Sequence, residues 1–165
     1  MTEYIDSYEG MEEDTQKDRY LTFMIGSENY GIEVRYVTEI TGIQAITDIP
    51  ELPEYIKGIM NLRGQIIPVM DVRLRFRKEP KEYTDRTCTV VVDISGMPIG
   101  LIVDGVSEVI TIPEQDVVEP PQANISVSNR YIKNIGKIGN NVTLLLDCEK
   151  LLNNDDIDNL KGELL

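Results

Sequence analysis

The feature that most constrains this chain is that it contains the same pattern twice. The stretch Gly31-Ile32-Glu33-Val34-Arg35-Tyr36-Val37-Thr38-Glu39-Ile40 aligns without gaps on Gly100-Leu101-Ile102-Val103-Asp104-Gly105-Val106-Ser107-Glu108-Val109, and the Gly, both Val positions and the Glu are identical. A second block follows in the same order. Tyr55-Ile56-Lys57 matches Tyr131-Ile132-Lys133, Ile59 matches Ile135, Ile66 matches Val142 and Asp71 matches Asp147. Agreement in both order and spacing predicts an internal duplication. Each copy reads as strand–turn–strand, strand, loop, hairpin, short helix. A unit of roughly 60 residues and about five strands must curl into a barrel to bury one face and remove its edges. It is marginal alone, so two such units are expected to pack together and leave a groove between them.

The local pattern agrees. Leu21, Phe23 and Ile25 alternate with Thr22 and Met24, and the alternation resumes at Tyr30–Val34 after Ser27-Glu28-Asn29, which predicts a hairpin. Thr47–Pro53 reads as a loop, with Pro53 placed to open a helical turn. Two apolar stretches flank Asn61–Gln65, and Gly64 accepts a positive φ, so a second hairpin turns there on Asn61 and Gly64. Pro68 has no amide to donate, which places its strand near an edge or a bulge. Asp71 and Asp147 stand at equivalent places before short apolar segments, and both are expected to cap helices rather than to form a catalytic carboxylate pair. Strand signals return at Thr89–Ile94, Ile99–Val103, Val106–Ile112, Tyr131–Ile138 and Val142–Asp147. The expected boundaries are an acidic flexible tail over 1–18, a two-barrel domain over 19–153, and a C-terminal helix over 154–165. Within the domain, the bulk of the first barrel is expected over about 30–85 and the second over 87–147.

Composition excludes more than it suggests. The chain has no histidine, which removes imidazole acid–base chemistry, histidine-based nucleophile systems and imidazole metal sites together. Two isolated cysteines, Cys88 and Cys148, make neither a disulfide framework nor a zinc spacing. The net charge of −13 is concentrated at the ends, with seven acids against two bases over residues 1–19, so a phosphate backbone is repelled and nucleic acid is an unexpected partner. One basic run, Arg73, Arg75, Arg77, Lys78 and Lys81, reads as a solvated face. No apolar run approaches a membrane span, and the acidic N-terminus lacks a signal-peptide core, so the expected location is cytoplasmic without membrane insertion. No cofactor is expected.

The first half carries Tyr20-Leu21-Thr22-Phe23, Tyr30-Gly31-Ile32, Val37-Thr38-Glu39-Ile40, Ile56-Lys57-Gly58-Ile59-Met60-Asn61-Leu62-Arg63-Gly64 and Ile66-Ile67-Pro68-Val69-Met70-Asp71-Val72-Arg73. The second half carries Val103-Asp104-Gly105-Val106-Ser107-Glu108-Val109 and Leu144-Leu145-Leu146-Asp147-Cys148-Glu149-Lys150-Leu151-Leu152. These stretches resemble the CheW-type coupling proteins of bacterial chemotaxis, over about residues 19–153. The resemblance implies an all-β fold of two tandem SH3-like five-stranded β-barrels, with short helices and a C-terminal helix. It implies a non-catalytic adaptor that joins chemoreceptor cytoplasmic signalling tips to the regulatory domain of the histidine kinase CheA. It further implies that Glu39 and Arg63 are polar receptor-coupling positions, and that Val37, Val106 and Val109 are apolar positions near the groove that takes the receptor hairpin. The resemblance also implies that the kinase contact falls on the first barrel. Met60 and Met70 stand where the family has small or β-branched residues, and the acidic tail lies outside the family pattern.

Residue chemistry alone leaves other readings open. A different protein-binding tandem-barrel scaffold has the same sequence signature. A carboxylate-based hydrolase would need two apposed carboxyls in a deep pocket. A nucleic-acid-binding tandem barrel would need a basic groove and stacking aromatics, which the charge and the two phenylalanines oppose.

Overall fold

The computed structural model describes residues 16–121 and 130–152. The chain runs β1 (Arg19–Ile25), β2 (Glu28–Glu33), β3 (Val37–Gly42), β4 (Ile56–Leu62), β5 (Gln65–Asp71), α1 (Val72–Arg75), β6 (Cys88–Ile94), β7 (Met97–Val103), β8 (Gly105–Thr111), β9 (Val117–Val118), β10 (Ile132–Ile138), β11 (Asn141–Leu146) and α2 (Cys148–Leu151). Short 3-10 turns at Val34–Tyr36 and Glu114–Asp116 lead into β3 and β9. The helix expected over 154–165 and most of the expected tail lie outside the described residues.

The strands form two sheets, and the partition departs from the sequential boundaries expected from the duplication. The first barrel has the order β3-β6-β7-β5-β4, and the second β8-β1-β2-β11-β10-β9. Each repeat therefore sends its opening hairpin into the other repeat's barrel: β1–β2 completes the second, and β6–β7 completes the first. The segment 88–103, expected in the second barrel, belongs to the first. The reason lies in register. Leu145 on β11 pairs in parallel with Gly31 on β2, and Val69 on β5 pairs in parallel with Gly100 on β7. Both duplicated glycines stand in crowded places, though against different neighbours: a Cβ on Gly31 would lie 3.0 Å from the Leu145 side chain of β11, and one on Gly100 2.8 Å from Thr89 of β6.

Both sheets curl back on themselves. After β3 the chain returns so that Thr47 exchanges backbone hydrogen bonds with Ile59 of β4, at 2.8 and 2.9 Å. After β8 it returns as β9, where Val118 pairs with Ile135 of β10. Pro68 is not at an edge, because β5 lies between β7 and β4, but it does lie beside a bulge, since the β4–β5 register shifts between Ile56 and Gly58, opposite Met70 and Val69. It sits one residue before the parallel ladder with β7, which begins at Val69, so its missing amide is not needed there. The first hairpin turns on Gly26-Ser27, one residue earlier than the polar run suggested.

The two helix caps form as expected. Asp71 accepts a hydrogen bond from the Leu74 amide at 3.3 Å, and Asp147 accepts one from Glu149 at 3.1 Å. A continuous core joins the barrels and includes Phe23, Tyr30 and Ile32 from the first hairpin with Met70, Phe76, Val90, Val92 and Leu101. An aromatic row crosses it, Phe23 to Tyr30 to Phe76 to Tyr131, with ring centroids 6.0, 5.3 and 5.6 Å apart. Each such pair contributes about 0.5–1.5 kcal/mol beyond its buried area. The basic run is not a solvated face throughout. Arg75 stacks between Tyr55 and Tyr131, 4.1 and 4.9 Å from their ring centres, and donates to the Leu151 carbonyl at 2.6 Å. Tyr55 and Tyr131 are equivalent in the duplication, so one arginine ties the two repeats together.

Candidate partner-binding site

The β4–β5 hairpin turns through Arg63 at φ 53° and Gly64 at φ 84°. Positive φ at both central positions matches the twist of the flanking strands. The Asn61 side-chain oxygen accepts the Gly64 amide at 2.8 Å and holds the turn closed. The arginine is the unusual member, because a long side chain in the left-handed region is disfavoured. The equivalent turn of the second barrel uses Gly139 at φ 58°. The first barrel thus has an arginine where its duplicate has glycine, just as the β6–β7 turn has Ser95 at φ 54° where its duplicate has Gly26 at φ 63°; what sets Arg63 apart is its long charged side chain and the partner it reaches.

Arg63 reaches Glu39 on β3 and pairs with it. Barrel closure makes this possible, since β3 and β4 stand at opposite ends of the sheet order and meet only because the sheet curls. The Arg63 side chain is 74% exposed against 26% for Glu39. Of its five N–H donors, those not used on Glu39 therefore face outward, in the fork that recognises carboxylates. Two exposed isoleucines share this barrel, Ile40 at 45% and Ile66 at 47% exposed. Ile40 follows Glu39 in regular register on β3, so its side chain stands on the other face of the sheet from the charged pair. Exposed apolar residues and an oriented charged pair on one barrel are the composition of a protein interface.

A bulge in β3 sets the strand's facing. Val37 pairs with Val92 and Glu39 with Val91, so Thr38 is the extra residue. Its hydroxyl donates to the Val91 carbonyl at 3.1 Å. Val37 is half-buried against the shared core, and so is Val106, its equivalent on β8. Val106 also lines a cleft formed by Met24 and Gly26 of the β1–β2 turn, the 84–88 segment and Ser107. Val37, Glu39, Arg63 and Val109 do not line that cleft. Val109 is exposed at the same level as Ile40, its equivalent. The structure therefore brings Glu39 and Arg63 into contact and places the three valines on the edge strands β3 and β8. Ile40 and Ile66 went unnoticed in the sequence. The signal was present, because Ile40 aligns with Val109 and Ile66 with Val142, and all four are exposed.

Carboxylate catalysis finds no support in this geometry. Asp71 caps α1 and accepts the Tyr83 hydroxyl at 2.9 Å, and Asp147 caps α2. Burial, reinforced by Asp147, pushes the Cys148 thiol up to about 12, so it stays protonated at neutral pH. Among the described residues no buried side-chain nitrogen or oxygen lacks a hydrogen-bond partner. No group of three or more acidic or thiol side chains there could hold a metal. No helix among them is long and apolar enough to cross a membrane.

Two small barrels that exchange hairpins, with an exposed charged pair and exposed isoleucines on the first, have the make-up of an all-β protein-binding scaffold. The model of the CheW-like domain matches residues 19–156. The chain is 33% identical over 144 residues to the chemotaxis protein CheW of Klebsiella aerogenes, covering 87% of each. It is also 33% identical over 144 residues to the chemotaxis protein CheW of Treponema pallidum, covering 85% of each. The crystal structure of the scaffolding protein TtCheW from Thermoanaerobacter tengcongensis superposes with a TM-score of 0.77 at 34% identity, covering 84% of this chain and 94% of that one. The chain belongs to the CheW-like family, the non-catalytic coupling scaffolds of chemotaxis.

Proposed function

We propose that this chain couples the cytoplasmic signalling tip of chemoreceptors to the regulatory domain of the histidine kinase CheA, and that the Glu39–Arg63 pair is the polar centre of its receptor contact. Val37, Val106 and Val109 supply the apolar flank along the β3 and β8 edges. The observation that carries this reading is the asymmetry at the turn. Arg63 and Glu39 form a pair in the first barrel, whereas the second keeps Glu108 but has Gly139 in place of the arginine. The first barrel therefore offers an exposed, oriented guanidinium that the second lacks, and this supports a contact made by one barrel only. A receptor tip is a helical hairpin, and an apolar strip beside a forked cation suits one helix face of alternating apolar and acidic residues. The chain is then cytoplasmic and held at receptor arrays through its partners.

The test is an NMR titration of the labelled chain with a receptor signalling-tip fragment and, separately, with the kinase regulatory domain. The reading expects shifts at Val37, Arg63 and Val106 with the tip, and at a different surface of the first barrel with the kinase domain. A folded Arg63→Glu variant that binds the tip as tightly as the parent chain removes Arg63 from the contact. No shifts with either partner overturn the adaptor reading itself.

A further inference from the structure

The two crossings between barrels are equivalent in the duplication but are built differently. The β7–β8 crossing passes through Asp104, whose side chain is 16% exposed and pairs with Arg73 of α1 at 2.9 Å. Its carboxylate also accepts the Gly26 amide at 2.6 Å, and its own amide donates to the Met24 carbonyl at 3.0 Å. That crossing is pinned to three elements. The β2–β3 crossing is the 3-10 turn Val34–Tyr36, in which no residue is buried and no side chain caps the turn. Arg35, the equivalent of Asp104, is 60% exposed and, among the described residues, bonds to Glu33 and Tyr36 alone, both within two residues of it. Tyr36 packs partly against the core. The β2–β3 crossing is therefore an open hinge, and the hairpin it carries lies at the N-terminal end of the domain, so it can leave its barrel without threading a loop.

Everything that holds this hairpin belongs to the far side of the hinge. β1 pairs with β8 and β2 pairs with β11. Thr22 donates to the Glu108 carbonyl at 2.8 Å, and Tyr30 stacks on Phe76. A second copy of the chain presents these same partners with the same geometry. We infer that the β1–β2 hairpin is exchangeable between two copies about Val34–Tyr36, giving a closed, two-fold dimer in which each second barrel is completed by the other copy's hairpin. Such an exchange makes every contact of the closed monomer and differs only at the hinge, and short hinges favour it. It presents two Glu39–Arg63 pairs on one particle. Leaving the barrel withdraws Phe23, Tyr30 and Ile32 from the core, where each is at most 1% exposed. Exchange is therefore fixed during folding, and the two forms interconvert slowly once folded.

The experiment uses the full chain with Cys88→Ala and Cys148→Ala, and adds Arg19→Cys with Thr111→Cys, which face each other across β1 and β8. The protein is unfolded, refolded at low and at tenfold higher concentration, and separated by size with light scattering. Each fraction is then diluted and oxidised. The dimer-to-monomer ratio is expected to rise about tenfold with concentration, as bimolecular capture competes with closure. The dimer fraction is expected to form disulfides between chains, and the monomer fraction disulfides within a chain. A Gly-Ser-Gly-Ser insertion after Arg35 is expected to lower the dimer fraction, and deletion of Arg35 to raise it. A dimer fraction that yields only disulfides within chains, or no dimer at any concentration in the parent chain and both hinge variants, overturns the exchange. If the deletion variant does not fold, the crosslink in the parent hinge decides alone.

Discussion

The two barrels share a plan but fill their interiors differently. In the first, Met60, Ile67, Val69, Val91 and Ile102 form an apolar plug, each at most 2% exposed. The equivalent positions of the second barrel for four of these are Gly136, Thr143, Leu145 and Thr22. The missing bulk returns from outside the repeat pattern. Ile112, fully buried, fills the space left at Gly136, where an added Cβ would come within 2.6 Å of it. Thr22 has gained a task its counterpart Val91 lacks, because its hydroxyl bonds both the carbonyl and the amide of Glu108 where β8 bulges, at 2.8 and 3.2 Å. In the first barrel the equivalent bulge is stitched from the other strand, by Thr38 to the Val91 carbonyl. A duplicated fold can thus conserve backbone registers while each copy solves packing and bulge chemistry with different residues. The register is shared because it depends on backbone geometry, and the filling diverges because only total volume and polar satisfaction are constrained.

The largest way to break this comparison is at Gly58. It sits at φ 143°, and a Cβ there would lie 2.0 Å from the Thr47 carbonyl oxygen, in the bridge that closes the first barrel. Its counterpart is Asn134, which takes a side chain at the equivalent bulge after Ile132. Gly58→Ala is expected to cost about 3 kcal/mol or more from backbone strain and overpacking together, against under about 0.5 kcal/mol for Asn134→Ala, both read by denaturant unfolding. Equal costs would show that the two closures are built alike.

Next in size are the two crossings. Asp104→Ala leaves Arg73 half-satisfied in a site where its side chain is 15% exposed, and is expected to cost about 2 kcal/mol. Arg35→Ala at the equivalent place removes an exposed local pair and is expected to cost less than about 0.5 kcal/mol. A pH series sharpens the contrast. Desolvation pushes the Asp104 carboxyl up, but the hydrogen bonds from Arg73 and the Gly26 amide outweigh it and hold it below the ordinary carboxylate range. A carboxyl depressed in the folded state contributes stability above its unfolded pKa and loses it as pH falls through the folded value. Asp104→Asn should therefore show a flatter loss of stability than the parent below about pH 4. Parallel curves would mean the pair adds nothing to folding.

A smaller effect is expected at the lumen positions. Thr22→Val installs the residue the first barrel uses, and hydrophobicity alone would make it stabilising. The Glu108 carbonyl and amide instead lose the one hydroxyl that bonds both, so a cost of about 1–2 kcal/mol is expected in thermal or denaturant unfolding. A neutral or stabilising result would mean that water takes over the bulge and that the hydroxyl is incidental.

Much of this was legible before any coordinates, and the legible part has a physical signature. The duplication, the two hairpins and both aspartate caps follow from local rules, namely alternation, turn chemistry and capping, and each of them forms. The hairpin exchange was not legible. Whether β6–β7 joins β5 or β11 depends on which parallel ladder is better packed, a choice between non-local pairings that leave the same local pattern. Pro68 narrows its strand to an edge or a bulge, and a bulge does lie opposite Val69 and Met70; the edge is excluded only by the neighbouring ladder, which the local pattern does not show. Arg75 was grouped with a solvated basic run because spacing does not reveal two tyrosines arriving from different repeats. At the site, Glu39 and Arg63 were named through family resemblance. Their contact required barrel closure, and Ile40 and Ile66 required knowing which face β3 and β5 turn outward.

The smallest expected effect on stability is the one most informative about function. Arg63→Gly gives the first barrel the turn residue of the second. The change removes an exposed ion pair, worth about 0.2–1 kcal/mol. It also relieves an arginine held at φ 53°, a conformation that glycine adopts without a steric penalty. These terms oppose each other, and glycine's extra freedom in the unfolded chain subtracts a similar small amount, so the net change is expected to stay within about 0.5 kcal/mol. Partner binding has no such compensation. If Arg63 forks onto a carboxylate of the receptor tip, its loss should weaken binding by roughly tenfold to a hundredfold, as removal of a charge-assisted contact does. Calorimetric titration beside an unfolding curve separates the two. Lost affinity at unchanged stability would show that the strained arginine is kept for the partner. Lost stability with unchanged affinity would make it a structural turn residue, and the difference between the barrels at this position would then be another case of divergent packing.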